Sequence, residues 1–257
     1  MNQGFKNKVA IITGASSGIG RATAIQLAEE GAKITITGRN EEALNRVAEE
    51  CESICENRPL IVLAEMKEEQ EVKNIIDATI QEYGALHILI NNAATLELGG
   101  IEYTSLQQFD NVFNVNVRAI YQLCMLAVPH LVKTKGNIVN VSSINAMCSY
   151  PFSLAYNMSK AALDHMTKCM SIELAYRSIR VNAVSPGIVK TEFLKRGGIN
   201  NTMYSKMMDM SKKSTPYARL GEADDVARAI LFLASDDSFF MNGVILPVDG
   251  GRHCLSL

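Results

Sequence analysis

The side chains best suited to moving a proton are Tyr156 and Lys160, in the run Tyr156-Asn157-Met158-Ser159-Lys160. Residues four apart share one face of a helix, so the phenol and the ammonium project together. A tyrosine has an ordinary pKa of about 10, poorly matched to proton transfer near neutral pH. A neighbouring cation favours the phenolate and pulls that value down. Such a pair can give a proton to a carbonyl oxygen or take one from an alcohol. The spacing occurs once in the chain. Alone it is a weak signal, because any helix can carry Tyr and Lys four apart.

A second constellation lies near the start. Val9-Ala10-Ile11-Ile12-Thr13-Gly14-Ala15-Ser16-Ser17-Gly18-Ile19-Gly20 reads as a buried strand, a Gly-rich turn and a helix start. Gly14 permits the tight turn, Gly18 lets backbone approach a pyrophosphate, and Gly20 lets the helix pack on the strand. The helix N-terminus then offers free N–H groups and a positive dipole end to phosphates. Three glycines alone say little, but after the first strand of an α/β chain they point to dinucleotide binding.

Both constellations need a frame. Short β-branched runs, most of them continuously apolar, recur at Val9–Thr13, Ile34–Thr37, Leu60–Ala64, Ile88–Asn91, Asn137–Val141, Arg180–Val184 and Val244–Val248. Amphipathic stretches lie between them, near 19–30, 41–55, 69–83, 104–133, 154–177 and 222–234. Strands covered on both faces and alternating with helices give a parallel sheet. The expected fold is α/β, a doubly wound Rossmann-like sheet of about seven strands with helices on both faces. No composition break divides residues 1–257, so one domain is expected, with an irregular insert at about 189–220. That insert falls at the carboxyl edge of the sheet, where ligands bind.

Composition narrows the classes. The 257 residues are 47% hydrophobic and 20% charged, with net charge −2. Such a chain buries about three quarters of its unfolded surface, and disorder is excluded. No basic tract suggests nucleic acid. Uninterrupted apolar runs reach only about ten residues, too few to span a bilayer. Cys51, Cys55, Cys124, Cys148, Cys169 and Cys254 show no paired spacing, which points to free thiols in a reducing compartment, with no metal site. The start lacks the apolar stretch of a secretory signal, and cytoplasmic localisation is expected. The ending Cys254-Leu255-Ser256-Leu257 fits a loose prenylation pattern, but no polybasic segment or second lipid site supports it. A tail docked on the fold is the expectation.

The spacing TGxxxGIG, with YxxxK downstream, resembles the short-chain dehydrogenase/reductase family over essentially the whole chain. Ser143 stands thirteen residues before Tyr156 and Asn116 forty before it. The resemblance implies that Asn116, Ser143, Tyr156 and Lys160 are catalytic. In that scheme Ser143 steadies the carbonyl oxygen and Tyr156 transfers the proton. Lys160 and the cationic oxidised nicotinamide together lower the phenol pKa, Lys160 also binds the nicotinamide ribose, and Asn116 holds a water that links Lys160 to solvent. Ser142 is the neighbouring candidate, but adjacent strand-end residues point oppositely, so only one faces the site.

The resemblance also implies a cofactor frame: Gly14, Ser16, Ser17, Gly18, Ile19 and Gly20 at the turn, with Asn92 and Ala93 after the fourth strand. Pro186, Gly187, Ile188, Val189 and Thr191 lie beyond the sixth, with backbone and the Thr191 hydroxyl holding the carboxamide. After the second strand stands Arg39 rather than a carboxylate. A guanidinium suits a 2′-phosphate, so NADP(H) is the expected cofactor, with Ser17 as a further contact. At the adenine, either Glu65 reaches the amino group or Met66 backbone takes its place. Glu65 and Ala94 depart from the family's usual Asp and Gly.

The activity implied is NADPH-dependent reduction of a ketone or aldehyde, reversible at the same site. Met203, Met207, Met208 and Met210 in the insert suggest a pliable lid over a lipophilic substrate such as a steroid or quinone. The alternatives are a 3-oxoacyl carrier-protein reductase, with Lys195, Arg196, Lys206, Lys212 and Lys213 meeting an acidic partner, and a non-catalytic nucleotide sensor. The resemblance further implies a homotetramer built through the 104–133 and 154–177 helices.

Overall fold

The computed structural model describes residues 4–55 and 57–255. The first strand, Val9–Thr13 (β1), is buried at every position and opens a seven-stranded sheet. Its companions are Lys33–Gly38 (β2), Leu60–Leu63 (β3), Ile88–Asn91 (β4), Asn137–Val141 (β5), Arg180–Pro186 (β6) and Ile245–Val248 (β7). The order is β3-β2-β1-β4-β5-β6-β7, and every pairing is parallel. The order reverses between β1 and β4, which opens a crevice at their carboxyl ends.

Helices cover both faces. Gly18–Glu29 (α1), Glu41–Cys55 (α2) and Ala223–Ala234 (α9) pack Leu27, Leu44, Val47, Val226 and Ile230 against one side. Glu69–Tyr83 (α3), Ala119–Thr134 (α5) and Leu154–Ala175 (α6) pack Val72, Ile75, Ile120, Leu123 and Leu163 against the other. The expected doubly wound architecture is therefore present.

Apart from one-residue shifts at the ends of β2, β3 and β7, three details differ from the sequence expectation. The stretch expected as one helix near 104–133 is Leu106–Phe113 (α4), a π-helical turn at Asn114–Arg118, and α5. A π-turn lets one extra residue into the helix and is common at functional sites. Strand β6 runs two residues beyond Val184, through Pro186. The insert is mostly helical, with Phe193–Arg196 (α7) and Asn201–Lys213 (α8).

The continuous run Leu106–Thr134 is long and apolar enough to cross a membrane by length and composition. No uninterrupted apolar run revealed it, because polar residues are interspersed. Here its Val115, Ala119, Leu123, Ala127 and Leu131 are buried in the core beneath the sheet. At the other end, His253 bonds Asp249 (Nδ1 to Oδ2, 2.9 Å) and Arg252 Nε donates to the Tyr150 hydroxyl (3.1 Å). The tail is thus held at Arg252 and His253, Cys254 and Leu255 are exposed, and Ser256 and Leu257 of the lipidation pattern lie outside the described residues.

Candidate active site

One cavity of about 910 Å³ runs along the carboxyl edge of the sheet. Gly14, Ser16, Ser17, Gly18, Ile19, Arg39, Glu65 and Met66 line one end. Asn92, Ala93, Pro186, Gly187, Ile188, Val189 and Thr191 line the middle, and Ser143, Tyr156 and Lys160 the chemical corner. Of the catalytic and cofactor-binding residues expected from the sequence, Asn116 and Gly20 do not line it, and of the insert residues Met208, Lys195, Lys212 and Lys213 do not.

Gly20 acts from behind. A Cβ there would stand 2.4 Å from the Gly14 carbonyl oxygen, so any side chain would push α1 off β1. Gly14 has φ +66 and Gly18 φ +57, left-handed values that favour glycine. Asn92 locks the turn: its Nδ2 donates to Thr13 O (2.8 Å) and Gly14 O (3.1 Å).

Tyr156 and Lys160 lie on the inward face of α6. The buried positions of that helix, Ala155, Tyr156, Ser159, Lys160, Leu163, Asp164, Thr167 and Ser171, follow helical spacing. Lys160 is 1% exposed, and its Nζ donates to the Val141 carbonyl at 2.8 Å. It stands 5.7 Å from the Tyr156 ring centroid. Burial pushes the ammonium down to about 8, with the Asp164 carboxylate opposing. Burial pushes the Tyr156 phenol up to about 12, and the hydrogen-bonded Ser143 hydroxyl works against that shift.

Among the protein's own groups burial outweighs the rest at the phenol, and the Lys160 ammonium is not one of the causes of its shift. The ammonium is drawn to Val141, and desolvation of the phenolate prevails. Ser143 faces the phenol, whereas the Ser142 hydroxyl turns to the Lys160 carbonyl (3.5 Å), as opposite pointing at a strand end requires.

Asn116 sits inside the π-helical turn, fully buried. Its amide donates to Thr95 O (2.9 Å) and Ser159 Oγ (3.0 Å), and its Oδ1 accepts from Thr95 N (2.8 Å). The Ser159 hydroxyl in turn donates to Tyr156 O (2.7 Å). The Asn116 side chain thus ties the segment after β4 to α6.

Arg39 is exposed, and its Nη1 donates to Glu65 Oε2 at 3.1 Å. Exposed pairs of this kind are weak, so the guanidinium can exchange that carboxylate for a phosphate.

The insert supplies the outer wall. Met203, Met207 and Met210 line the cavity, whereas Met208 is buried beneath α8. Sequence reading missed Phe193, whose ring lies 5.8 Å from that of Tyr156. It also missed Tyr150, Phe152 and Arg252 on the rim. Phe152 holds φ +60, a strained value that no local signal announces.

The residues present fit a dinucleotide. The left-handed glycines leave the turn bare, and the helix N-terminus of α1 carries no side-chain cap. Lys160 spends one donor on Val141, and its other two have no protein partner among the described residues.

A parallel doubly wound sheet, a bare glycine turn on α1 and a Ser-Tyr-Lys corner over one crevice define a dinucleotide-dependent oxidoreductase. The chain belongs to the short-chain dehydrogenase/reductase family. The family profile described as Enoyl-(Acyl carrier protein) reductase matches residues 14–253. A short-chain dehydrogenase/reductase of unknown function from Caenorhabditis elegans, solved with cofactor, superposes with TM-score 0.93 at 35% identity, covering 98% of this chain and 97% of its own. The 3-oxoacyl-acyl-carrier-protein reductase FabG of Thermotoga maritima is 34% identical over 248 residues, 96% of this chain and 98% of its own. The 2-(R)-hydroxypropyl-CoM dehydrogenase of Xanthobacter autotrophicus is also 34% identical, over 95% of this chain and 98% of its own. The family uses a nicotinamide cofactor, NAD or NADP.

Proposed function

We propose that this protein is an NADP(H)-dependent carbonyl reductase acting on a lipophilic ketone or aldehyde. The observation that carries this reading is the single cavity that joins Arg39 and the Gly14–Gly18 turn to Ser143, Tyr156 and Lys160. Arg39 and Ser17 receive the 2′-phosphate, the backbone and hydroxyl of Thr191 the carboxamide, and Lys160 the ribose. When bound, the dinucleotide supplies or accepts the hydride.

The rest is work for the chain. Ser143 donates to the substrate oxygen and steadies the charge that develops there. Tyr156 holds its proton on Oη at neutral pH, because burial keeps the phenol neutral. That is the form that protonates an oxygen, and oxidation of an alcohol runs through the same group in reverse. Asn116 fixes Tyr156 and Lys160 through Ser159. The apolar wall of Phe193, Leu194, Met203, Met207 and Met210 keeps water from the corner and selects apolar substrates.

A second reading, a 3-oxoacyl carrier-protein reductase, draws support from the Thermotoga relative and from Lys206 on the cavity rim. Exposed Tyr121 and Met125 on α5, with Ile172 on α6 and Tyr176 beyond it, support a homotetramer through these helices. The six free cysteines support a reducing, cytoplasmic setting.

A panel of steroid, quinone, 3-oxoacyl-thioester and small polar carbonyls, followed by NADPH absorbance, tests the reading. Turnover fastest on bulky apolar ketones is expected. Preference for the thioester would promote the second reading. Binding without oxidation of NADPH anywhere on the panel would leave only a nucleotide sensor.

A further inference from the structure

Arg196 closes α7 and reaches back across the cavity to the nucleotide turn, where its Nη2 donates to the Ser17 hydroxyl. The two residues are 179 apart in sequence, and both line the cavity. The approach is close along this seam. A Cβ on Gly18 would come within 3.0 Å of Cγ2 of Thr191, near the start of the insert.

The charges at this seam do not balance. Glu192, one turn before Arg196, pairs with Lys195 at 3.0 Å. Among the described residues, no carboxylate lies within 4.0 Å of the Arg196 guanidinium. The first turn of α1 has no acidic residue, and the Ser17 side chain does not cap it. A guanidinium therefore faces the positive end of a twelve-residue helix with only a neutral hydroxyl between. An anion at the turn satisfies both at once, since a guanidinium binds phosphate oxygens through paired charge-assisted bonds.

We infer that Arg196 is a phosphate-binding residue of the dinucleotide site, donated by the insert, so that the bound cofactor holds the insert in place. This rests on the reading of the cavity as a dinucleotide site and adds a residue from outside the glycine turn.

The test titrates NADPH and NADH directly into wild type, Arg196→Ala, Arg196→Lys and Lys195→Ala, following binding by calorimetry. Amide exchange of residues 193–213 is read with and without each dinucleotide. Arg196→Ala should weaken binding by about tenfold or more, the size of a lost charge-assisted bond. Arg196→Lys, which keeps charge but not the planar fork, should lose less. Lys195→Ala, one residue away and tied to Glu192, should bind as wild type. Exchange in the insert should slow on cofactor binding in wild type and not in Arg196→Ala. Equal losses for both dinucleotides assign Arg196 to the pyrophosphate, and a loss for NADPH alone assigns it to the 2′-phosphate. Wild-type affinity for both in Arg196→Ala would overturn the inference. So would an insert loosened equally with and without cofactor, the mark of a merely structural arginine. If wild type itself binds neither dinucleotide, the cofactor reading fails instead.

Discussion

The chemical corner and the insert face each other across one cavity and are built on opposite principles. Ser143, Tyr156 and Lys160 are no more than 9% exposed and stand just past the end of β5 and on α6, against the packed body of the sheet. Met203 and Met210 are 54% and 71% exposed, on a helix carried by a loop. Proton transfer needs desolvated groups at fixed separations, because position and pKa both depend on burial. Substrate choice needs a surface that adapts, and thioether side chains on a lightly packed helix provide one. Substitutions in the corner should therefore act on rate, and substitutions in the insert on which substrate is taken.

The largest effect is expected at Lys160. It has two roles, so Lys160→Ala should lose turnover by roughly 10²–10⁴ and weaken cofactor binding as well. Loss of turnover with wild-type cofactor affinity would remove the ribose contact from the account. Next comes the far end of the same cavity. Arg39→Ala should weaken NADPH by about 1.5–3 kcal/mol, or roughly 10–150-fold, while NADH hardly changes. Equal losses in both titrations would make Arg39 structural, a partner of Glu65 and no more.

Smaller and more selective is the insert. Met203→Ser with Met207→Ser should raise KM for bulky apolar ketones, because each side chain contributes about 1.5–3 kcal/mol of burial only where substrate touches it. Small polar carbonyls should be spared. If both classes suffer alike, or these methionines meet another subunit, the lipophilic-substrate idea fails.

The smallest effect concerns stability and ignores the cavity. Burial pushes the thiols of Cys51 and Cys124 from 9.0 to about 12. The fold keeps them neutral while the unfolded chain ionises them. Their contribution is full below pH 9 and is lost as pH rises towards 12. Lys160, held down at about 8 against 10.5, works the other way between those values. Cys124→Ala should therefore lower stability at pH 7 but flatten the fall above pH 9. An unchanged slope in denaturant titrations across that range would contradict the assignment.

The same contrast explains what the sequence reveals. Strands β1, β4 and β5 are legible residue for residue, because parallel strands buried on both faces are short runs dominated by Val, Ile and Leu. Helix α3 was equally clear from its amphipathic spacing. The π-turn at Asn114–Arg118 was not, since one extra residue leaves the apolar pattern almost intact. The glycine turn, Tyr156 and Lys160 could be read because their chemistry fixes their spacing. Phe193, Tyr150 and Arg252 reach the cavity through tertiary packing, which no local pattern encodes. The Lys160 bond to Val141 and the raised phenol pKa depend on burial, and spacing on a helix says nothing of that. Arg39 was visible as a cation, but its pairing with Glu65 was not.

The central claim is that Tyr156 transfers the proton in a cavity that binds NADPH. The most direct measurement sets turnover beside NADPH affinity in Tyr156→Phe, which keeps the ring and its packing against Phe193 but removes the transferable proton. Turnover should fall by roughly 10²–10⁴ with the NADPH dissociation constant unchanged. Near-normal turnover at unchanged affinity would take Tyr156 out of the chemistry and contradict the account.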